Sequence, residues 1–237
     1  MNSIDAVSPY CSNPWLNYDL KPFGGKINFF DHVSTNAFIK EMSCFNVDGT
    51  STCNASIIKS HFPISNLGDE ASKLPLKIIY VCRDPAETIA SLWKFMHRWE
   101  WNEGPKTETP VELATARPSG QSQRHQASNY KDYFERWAAH VIDGIAHCEK
   151  NPKAKSVSYR KLLEAHTSTT ESLCKNLDIQ MLKNPQIPSR TENVIKGSSI
   201  NINDDIIAQL RDLCNARLRE FPTLEALLAE DQKSTNH

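Results

Sequence analysis

Apolar and polar positions along the first hundred residues predict two strands after an irregular start. Residues 56–62 form a short mixed run that stops at Pro63, and residues 76–82 form a longer, nearly all apolar run that stops at Arg83. Runs of this length that end at proline or charge are typical of strands. Apolar side chains on both faces of the second run indicate a central strand of a parallel sheet. Residues 1–50 have weak periodicity and several prolines and glycines, which predicts an irregular segment.

Helical periodicity follows the second strand. Asp84, Pro85 and Glu87 fit the N-cap, first and third positions of a helix, which we expect to run to about Trp99. Between about 130 and 150, apolar residues recur at spacings of three and four. This spacing predicts an amphipathic helix.

The order of elements predicts the fold class. A polar segment follows over 100–128, within which residues 111–114 fit one short turn of helix. The remaining predicted elements are a strand over 156–159, helices from about 162 and over 170–177, and a last helix that Asn203 caps and that ends near 219. Strands that alternate with helices predict a single α/β domain with a central, mainly parallel sheet flanked by helices. We place this domain at residues 51–229, after the irregular segment 1–50 and before a polar tail, 230–237.

Composition and charge narrow the classes of function. The chain has 237 residues, of which 39% are apolar, and 27 Lys and Arg nearly balance 28 Asp and Glu. A formal net charge of −1 gives no general field that attracts nucleic acid or an anionic membrane, so neither is an expected partner. No run approaches the roughly 18 consecutive apolar residues that a membrane span needs. The N-terminus lacks the basic and apolar regions of a signal peptide, so we expect a cytoplasmic protein.

The cysteines and histidines do not form a metal pattern. The seven cysteines are scattered and include no C-x-x-C pair, which favours reduced thiols over disulfides or a zinc site. His140, His147 and Cys148 share the predicted amphipathic helix, but no further ligand follows at zinc spacing. We therefore expect no metal.

A first candidate site lies at the end of the first strand. In a parallel sheet the ligand site lies beyond the carboxyl ends of the strands. Lys59 and His61 are two residues apart, so an ammonium and an imidazole share one strand face just before Pro63. The alternative is an edge strand with solvated polar residues.

Two further candidates are anion sites. Arg83 places a cation where the dipole of the following helix disfavours one, and an anionic ligand would resolve that conflict, with Ser91 adding a hydroxyl. The alternative for Arg83 is an ion pair with a neighbouring carboxylate. Lys196 and Gly197 combine a cation with a residue that permits close backbone approach, as an anion-binding loop needs. The alternative there is a solvated loop.

Taken in order, these segments resemble the cytosolic sulfotransferase family, which transfers a sulfuryl group from 3′-phosphoadenosine 5′-phosphosulfate (PAPS) to an acceptor. The motifs that carry the resemblance are Lys59-Ser60-His61-Phe62-Pro63, Lys77 to Pro85 continuing to Ser91, Trp137-Ala138-Ala139-His140-Val141, Ser158-Tyr159-Arg160-Lys161-Leu162 and Ile195-Lys196-Gly197. The resemblance runs from about Ser56 to Ala229. It implies the P-loop-NTPase-like sulfotransferase fold.

The resemblance also implies roles for the matching residues. His61 matches the catalytic base, and Lys59 lies beside it. Four residues match those that hold the 3′-phosphate of PAPS in the family: Arg83, Ser91, Lys196 and Gly197. Tyr159 matches the residue that contacts the adenine. The implied co-substrate is PAPS without a metal, the implied partner is a small-molecule acceptor with a hydroxyl or amine, and a homodimer is left open.

Two departures from the family pattern leave alternatives open. The Tyr-Pro-Lys-Ser-Gly-Thr loop that binds the 5′-phosphosulfate is absent, and the nearest basic glycine segment, residues 22–26, has no predicted strand before it. Ile195 stands where the family has Arg. The chain either begins downstream of the family's usual start or is a natural short form with impaired chemistry. One alternative to an enzyme is a non-catalytic relative that binds PAPS or its product. A kinase is disfavoured because no G-x-x-x-x-G-K-[ST] occurs.

Overall fold

The structure, a computed structural model, describes residues 26–29, 57–60, 63–66, 76–98, 104–118, 129–178 and 200–224. Contacts divide the chain into two compact units. The first comprises Met1–Leu76 with Gln121–Asn129, and the second comprises Lys77–Gly120 with Tyr130–His237. The elements of each unit are described in turn.

The first unit contains a parallel pair of short strands. Strand β1, Lys26–Phe29, pairs with β2, Ile57–Ser60, and a 3₁₀ helix follows at Ile64–Asn66. Strand β2 confirms the first predicted strand. The prediction that residues 1–50 are irregular is wrong at β1. Four residues hold too few alternations to be recognised locally, and the partner that pairs with them lies far along the chain.

The second unit alternates strands and helices. Its elements are β3 (Ile78–Cys82), α1 (Pro85–Arg98), α2 (Pro110–Thr115), α3 (Tyr133–Lys150), β4 (Ala154–Ser158), α4 (Tyr159–Glu164), α5 (His166–Asn176) and α6 (Asp204–Leu218). Strands β3 and β4 are parallel, with Ile78 opposite Ala154 and Cys82 opposite Ser158. The predicted α/β class and parallel strand pairing are confirmed.

Two details of these strands differ from the sequence prediction. Ile79 and Val81 are each 45% exposed, so the described part of the second unit covers one face of β3 only partly, where its apolar sequence suggested burial on both faces. Apolar residues favour burial but do not require it. Strand β4 ends at Ser158 because the Ser158 hydroxyl accepts hydrogen bonds from the N–H groups of Arg160 and Lys161. Tyr159 is therefore the first residue of α4 rather than the last residue of a strand.

The predicted helix starts at Asp84 and Asn203 are confirmed. A carboxylate oxygen of Asp84 accepts the N–H of Glu87 at 2.9 Å, and the side-chain oxygen of Asn203 accepts the N–H of Asp205 at 2.9 Å. Each bond satisfies an N–H that has no partner within the helix. These two caps fix where α1 and α6 leave the preceding chain.

The hydrophobic core lies among α1, α2, α3 and α6. It includes Ile89, Leu113, Phe134 and Leu210, which are all buried. Helix α2 contains the short helical turn predicted at residues 111–114, and Leu113 anchors it to the core. None of the helices in the described ranges is long and apolar enough to cross a bilayer.

Asp132 joins two of these helices. One of its carboxylate oxygens caps α3 by accepting the N–H of Glu135 at 2.8 Å. The other accepts a hydrogen bond from Nη1 of Arg217 on α6 at 2.8 Å, and the two side chains are 3% and 16% exposed. The Arg217 guanidinium also lies 5.0 Å from the ring centroid of Phe134. A buried carboxylate thus holds α3 and α6 together.

Helix α3 packs closely on β3 at a glycine. A Cβ on Gly144 would lie 2.5 Å from the ring of Tyr80, whose hydroxyl donates to the carbonyl of His140 at 3.0 Å. Burial raises the pKa of Tyr80 well above its usual value. Burial, with a contribution from Arg136, lowers the pKa of His140 to about 4. Both groups are therefore neutral at physiological pH.

Candidate functional site

The carboxyl ends of β3 and β4 bring two predicted site residues together. Arg83 directly follows β3, and Tyr159 directly follows β4. The strands are in register, with Cys82 opposite Ser158, so the next residue of each strand lies at the same edge. The guanidinium carbon of Arg83 lies 4.6 Å from the ring centroid of Tyr159, a cation–π contact.

Two other residues position Arg83. The indole N–H of Trp137 on α3 donates to the carbonyl of Arg83 at 3.0 Å, which fixes the peptide where the chain leaves β3. The Arg83 Nε donates to Glu87 at 3.0 Å, and these side chains are 33% and 49% exposed. The neighbouring carboxylate that the sequence left as an alternative is thus a real partner. An exposed pair of this kind contributes only about 0–1 kcal/mol, so an anionic ligand can compete with it.

An open cleft of about 680 Å³ lies at this edge. Its walls are the carboxyl end of β3, strand β4, one side of α3, and helices α4 and α5. Its polar lining includes Arg83, Asp84, Lys155, Ser158, Lys161, Ser168, Thr169, Ser172 and Asn176. Cavities of about 300–1,000 Å³ are the usual size for small-molecule sites.

The cleft is locally positive although the chain as a whole is not. Its described lining holds three cations, Arg83, Lys155 and Lys161, against one carboxylate, Asp84. An oxygen of that carboxylate already accepts the N–H of Glu87. A concave surface with an excess of one charge concentrates ligands of the opposite charge. The arrangement therefore suits an anionic ligand.

Burial keeps one thiol of the described ranges protonated, and no metal-ligating cluster is formed there. Burial, with a contribution from the charge of Asp84, raises the pKa of the Cys214 thiol to about 12. This thiol therefore remains protonated. Cys148 and Cys174 also carry free thiols. In the part of the chain that the structure describes, no group of three or more His, Cys, Asp or Glu side chains is placed to hold a metal ion.

The other predicted site residues are distributed differently. Ser91 is exposed on α1, one helical turn beyond Glu87 and therefore on the same helix face. Lys59 lies in β2, where its backbone is opposite Asn28 in the first unit. His61, Lys196 and Gly197 lie outside the described residues. Their roles stay predictions.

Sequence reasoning missed the positions of Trp137 and Lys161. The spacing of apolar residues in α3 placed Trp137 on the apolar face of the helix and predicted nothing more. A buried indole N–H usually finds a hydrogen-bond acceptor. That rule is the signal that could have predicted a polar partner for Trp137. Ser168 and Ser172 are four residues apart, a spacing that places both hydroxyls on one face of a helix. Which face borders a cleft depends on packing and could not be inferred from spacing.

These features define an α/β protein with a cationic cleft at the carboxyl ends of two parallel strands. The model of the sulfotransferase domain family matches residues 16–203 of the chain. The match covers well over half of the sequence and includes Arg83 and Tyr159. The chain belongs to the sulfotransferase domain family.

Two relatives show how far the similarity extends. Cytosolic sulfotransferase 17 of Arabidopsis thaliana is 34% identical over 50 residues, which are 21% of this chain and 14% of that protein. A crystal structure of mouse sulfotransferase SULT7A1 complexed with PAP has 16% sequence identity and a TM-score of 0.39, and the match covers 67% of this chain and 58% of that one. The chain thus spans only part of the length of each relative.

Proposed function

We propose that this protein transfers a sulfuryl group from PAPS to a hydroxyl or amine of a small-molecule acceptor. The observation that carries the proposal is the placement of Arg83. Its peptide is fixed by Trp137 at the carboxyl end of β3, and its side chain lines a cleft with an excess of positive charge. Membership of the sulfotransferase domain family gives this anion site its expected chemistry.

The donor set of the cleft fits a nucleotide. A phosphate accepts charge-assisted hydrogen bonds from guanidinium and ammonium groups, and the serine and threonine hydroxyls of α5 can bind sugar hydroxyls. Tyr159 supplies an aromatic ring against Arg83. In the proposed complex, the 3′-phosphate is held by Arg83, Ser91, Lys196 and Gly197, and the adenine is held by Tyr159.

The proposed chemistry needs a base and charge stabilisation. PAPS supplies an activated sulfuryl group whose in-line transfer, like phosphoryl transfer, depends mainly on alignment and electrostatics. His61 accepts the proton of the acceptor, since an imidazole with an ordinary pKa of about 6.5 is a suitable base at neutral pH. Lys59, two residues earlier in the sequence, favours neutral His61 and stabilises negative charge on the leaving oxygen. No step requires a metal.

A second candidate is a protein that binds the nucleotide without transferring sulfate. The observation in its favour is that the printed sequence contains no Tyr-Pro-Lys-Ser-Gly-Thr loop, which the family uses to hold the 5′-phosphosulfate. Loss of one preorganised donor of this kind commonly lowers a rate by about 10²–10³-fold. The two candidates share the 3′-phosphate site and differ only in turnover.

Calorimetric titration tests the shared site. Adenosine 3′,5′-bisphosphate (PAP) should bind more tightly than adenosine 5′-monophosphate (AMP), and Arg83→Ala should weaken PAP binding by about tenfold or more, because a charge-assisted bond is lost. Arg160→Ala is the matched control, since Arg160 is exposed and paired with Glu164 at 3.0 Å. Equal affinity for PAP and AMP would contradict the assignment of Arg83.

Turnover distinguishes the two candidates. The chain is incubated with radiolabelled PAPS and a panel of phenols, alcohols and amines. For an enzyme, His61→Ala should lower turnover by about 10²–10⁴-fold while PAP affinity stays the same, because a base acts in the transition state. PAP binding without transfer to any acceptor supports the binding protein instead.

A further inference from the structure

We infer that Tyr159 is a positioning residue for Arg83 and thereby strengthens the preference for a ligand with a 3′-phosphate, an inference that rests on the proposed function. The contact between the two side chains is direct, with the guanidinium carbon of Arg83 4.6 Å from the ring centroid of Tyr159. This role is separate from the adenine contact that the proposed function gives to Tyr159. It acts on the phosphate through Arg83 rather than on the base.

Both residues of the contact have a fixed backbone. Arg83 follows β3, and its carbonyl accepts the indole N–H of Trp137 at 3.0 Å. Tyr159 is the first residue of α4, where the hydroxyl of Ser158 accepts the N–H groups of the next two residues. Because Cys82 lies opposite Ser158, the register of the strands places Arg83 and Tyr159 side by side. The tyrosine ring and the guanidinium therefore meet at a point that two paired strands determine.

Two contacts hold the guanidinium of Arg83. It lies over the ring of Tyr159, and its Nε donates to a carboxylate oxygen of Glu87 at 3.0 Å. The guanidinium also carries Nη1 and Nη2, a forked pair of donors that can bind two oxygens of one phosphate. A phosphate bound by this pair does not have to displace Glu87 or Tyr159. The two contacts therefore restrict the rotamers of Arg83 without using the fork.

A restricted arginine binds a phosphate more tightly than a free one. An arginine side chain has many rotamers, and the freedom that it loses on binding a ligand opposes binding. A contact that restricts the side chain before the ligand arrives reduces this loss. The side chain of Arg83 is 33% exposed, and a cation–π contact at a partly exposed site is weak. We therefore expect the ring of Tyr159 to raise the affinity for the phosphate by about two- to fivefold.

The lining of the cleft favours a role of Tyr159 through Arg83. Arg83 and Ser158 line the cleft, whereas Tyr159 is not among the described residues that line it. A residue that acts through Arg83 needs only its contact with Arg83, and that contact is present. The adenine contact requires in addition that the base reach a part of the ring that Arg83 does not cover. The two roles therefore use different parts of one side chain and can be measured separately.

Titration of Tyr159 variants tests the inference. PAP and AMP are titrated into Tyr159→Leu and Tyr159→Phe, each with Arg83 intact and in the Arg83→Ala background. The ratio of the two affinities measures the contribution of the 3′-phosphate, because AMP lacks that group. Tyr159→Leu should lower the ratio by about two- to fivefold, and Tyr159→Phe should keep it, because phenylalanine also attracts a cation to its ring face.

The Arg83→Ala background and a neighbouring residue supply the controls. Without the guanidinium, Tyr159→Leu should leave the ratio unchanged, whereas a general defect in folding would persist there. Arg160→Ala changes the next residue of α4, which is exposed and paired with Glu164 at 3.0 Å, and it should also keep the ratio. Circular dichroism confirms that each variant is folded, and Tyr159→Met repeats the comparison if Tyr159→Leu unfolds.

The outcomes separate this inference from the proposed function. If Arg83→Ala lowers the ratio while Tyr159→Leu weakens PAP and AMP by the same factor, Tyr159 serves the adenine alone, so the inference is wrong and the proposed function stands. A loss in Tyr159→Leu that persists without Arg83, or an equal loss in Tyr159→Phe, also overturns the inference, because the effect then does not pass from the ring to the guanidinium. If the unaltered chain binds no PAP, both proposals fail.

Discussion

Asp132 has two structural roles, and two substitutions separate them. Its carboxylate caps α3 through the N–H of Glu135 and pairs with Arg217 of α6. Asparagine caps helices about as well as aspartate, so Asp132→Asn keeps the cap and removes the negative charge. Asp132→Ala removes both. The difference between the two variants therefore measures the cap.

The structure sets the expected magnitudes. The side chains of Asp132 and Arg217 are 3% and 16% exposed, so water replaces little of the lost contact. Removing one partner of a buried pair costs about 3–5 kcal/mol. Arg217 keeps Glu220, whose carboxylate lies 2.9 Å from Nε, so we expect about 2–3 kcal/mol for Asp132→Asn. Loss of the cap should add about 1 kcal/mol in Asp132→Ala.

Urea unfolding followed by circular dichroism measures these free energies by linear extrapolation. Glu164→Gln is the control, because it breaks an exposed pair and should cost less than about 1 kcal/mol. The double variant Asp132→Asn with Arg217→Met removes both charges and should recover part of the loss. An unfolding free energy for Asp132→Asn within about 0.5 kcal/mol of the unaltered protein would refute the reasoning.

Two further predictions concern the packing of α3. Gly144→Ala should destabilise the fold by about 1–3 kcal/mol because the added Cβ would overlap the Tyr80 ring. This cost exceeds the gain from the better helix propensity of alanine. An unchanged urea midpoint would contradict this prediction. His140 has a pKa of about 4 in the folded protein and about 6.5 when unfolded, so between these values the unfolded chain binds a proton that the folded protein does not. The unfolding free energy should therefore fall as pH falls from about 6.5 to 4, by on the order of 3 kcal/mol from this group. His140→Phe should reduce that loss, and identical pH profiles of the two proteins would exclude His140 as its source.

Features that depend on a few neighbouring residues could be predicted from the sequence. The starts of α1 and α6 follow from Asp84 and Asn203, because a cap and the N–H that it accepts lie within three residues of each other. The same chemistry at Ser158 was missed. Tyr159 is typical of strands, so residue preference extends the predicted strand by one residue past the capping serine.

Single residues of the candidate site could be predicted from the sequence, but their arrangement in space could not. Arg83 could be chosen because a cation before a helix start conflicts with the helix dipole. Its contact with Tyr159 depends on the register of β3 and β4, which tertiary packing sets. The place of Lys161 beside the cleft likewise depends on how α5 packs against α4, through the bond from Thr169. Neither relation has a local sequence signal.

The hydrogen bond from Trp137 to the carbonyl of Arg83 affects how natural variants of this chain should be classified. A survey that sorts positions by solvent exposure would place Trp137 with the hydrophobic core and assign its substitutions to lost stability alone. The indole also fixes the peptide that carries Arg83, so the same substitutions should disturb the proposed ligand site without altering any side chain in it. Trp137→Phe keeps an aromatic ring in the core and removes the donor, so it separates a folding defect from a binding defect at one position.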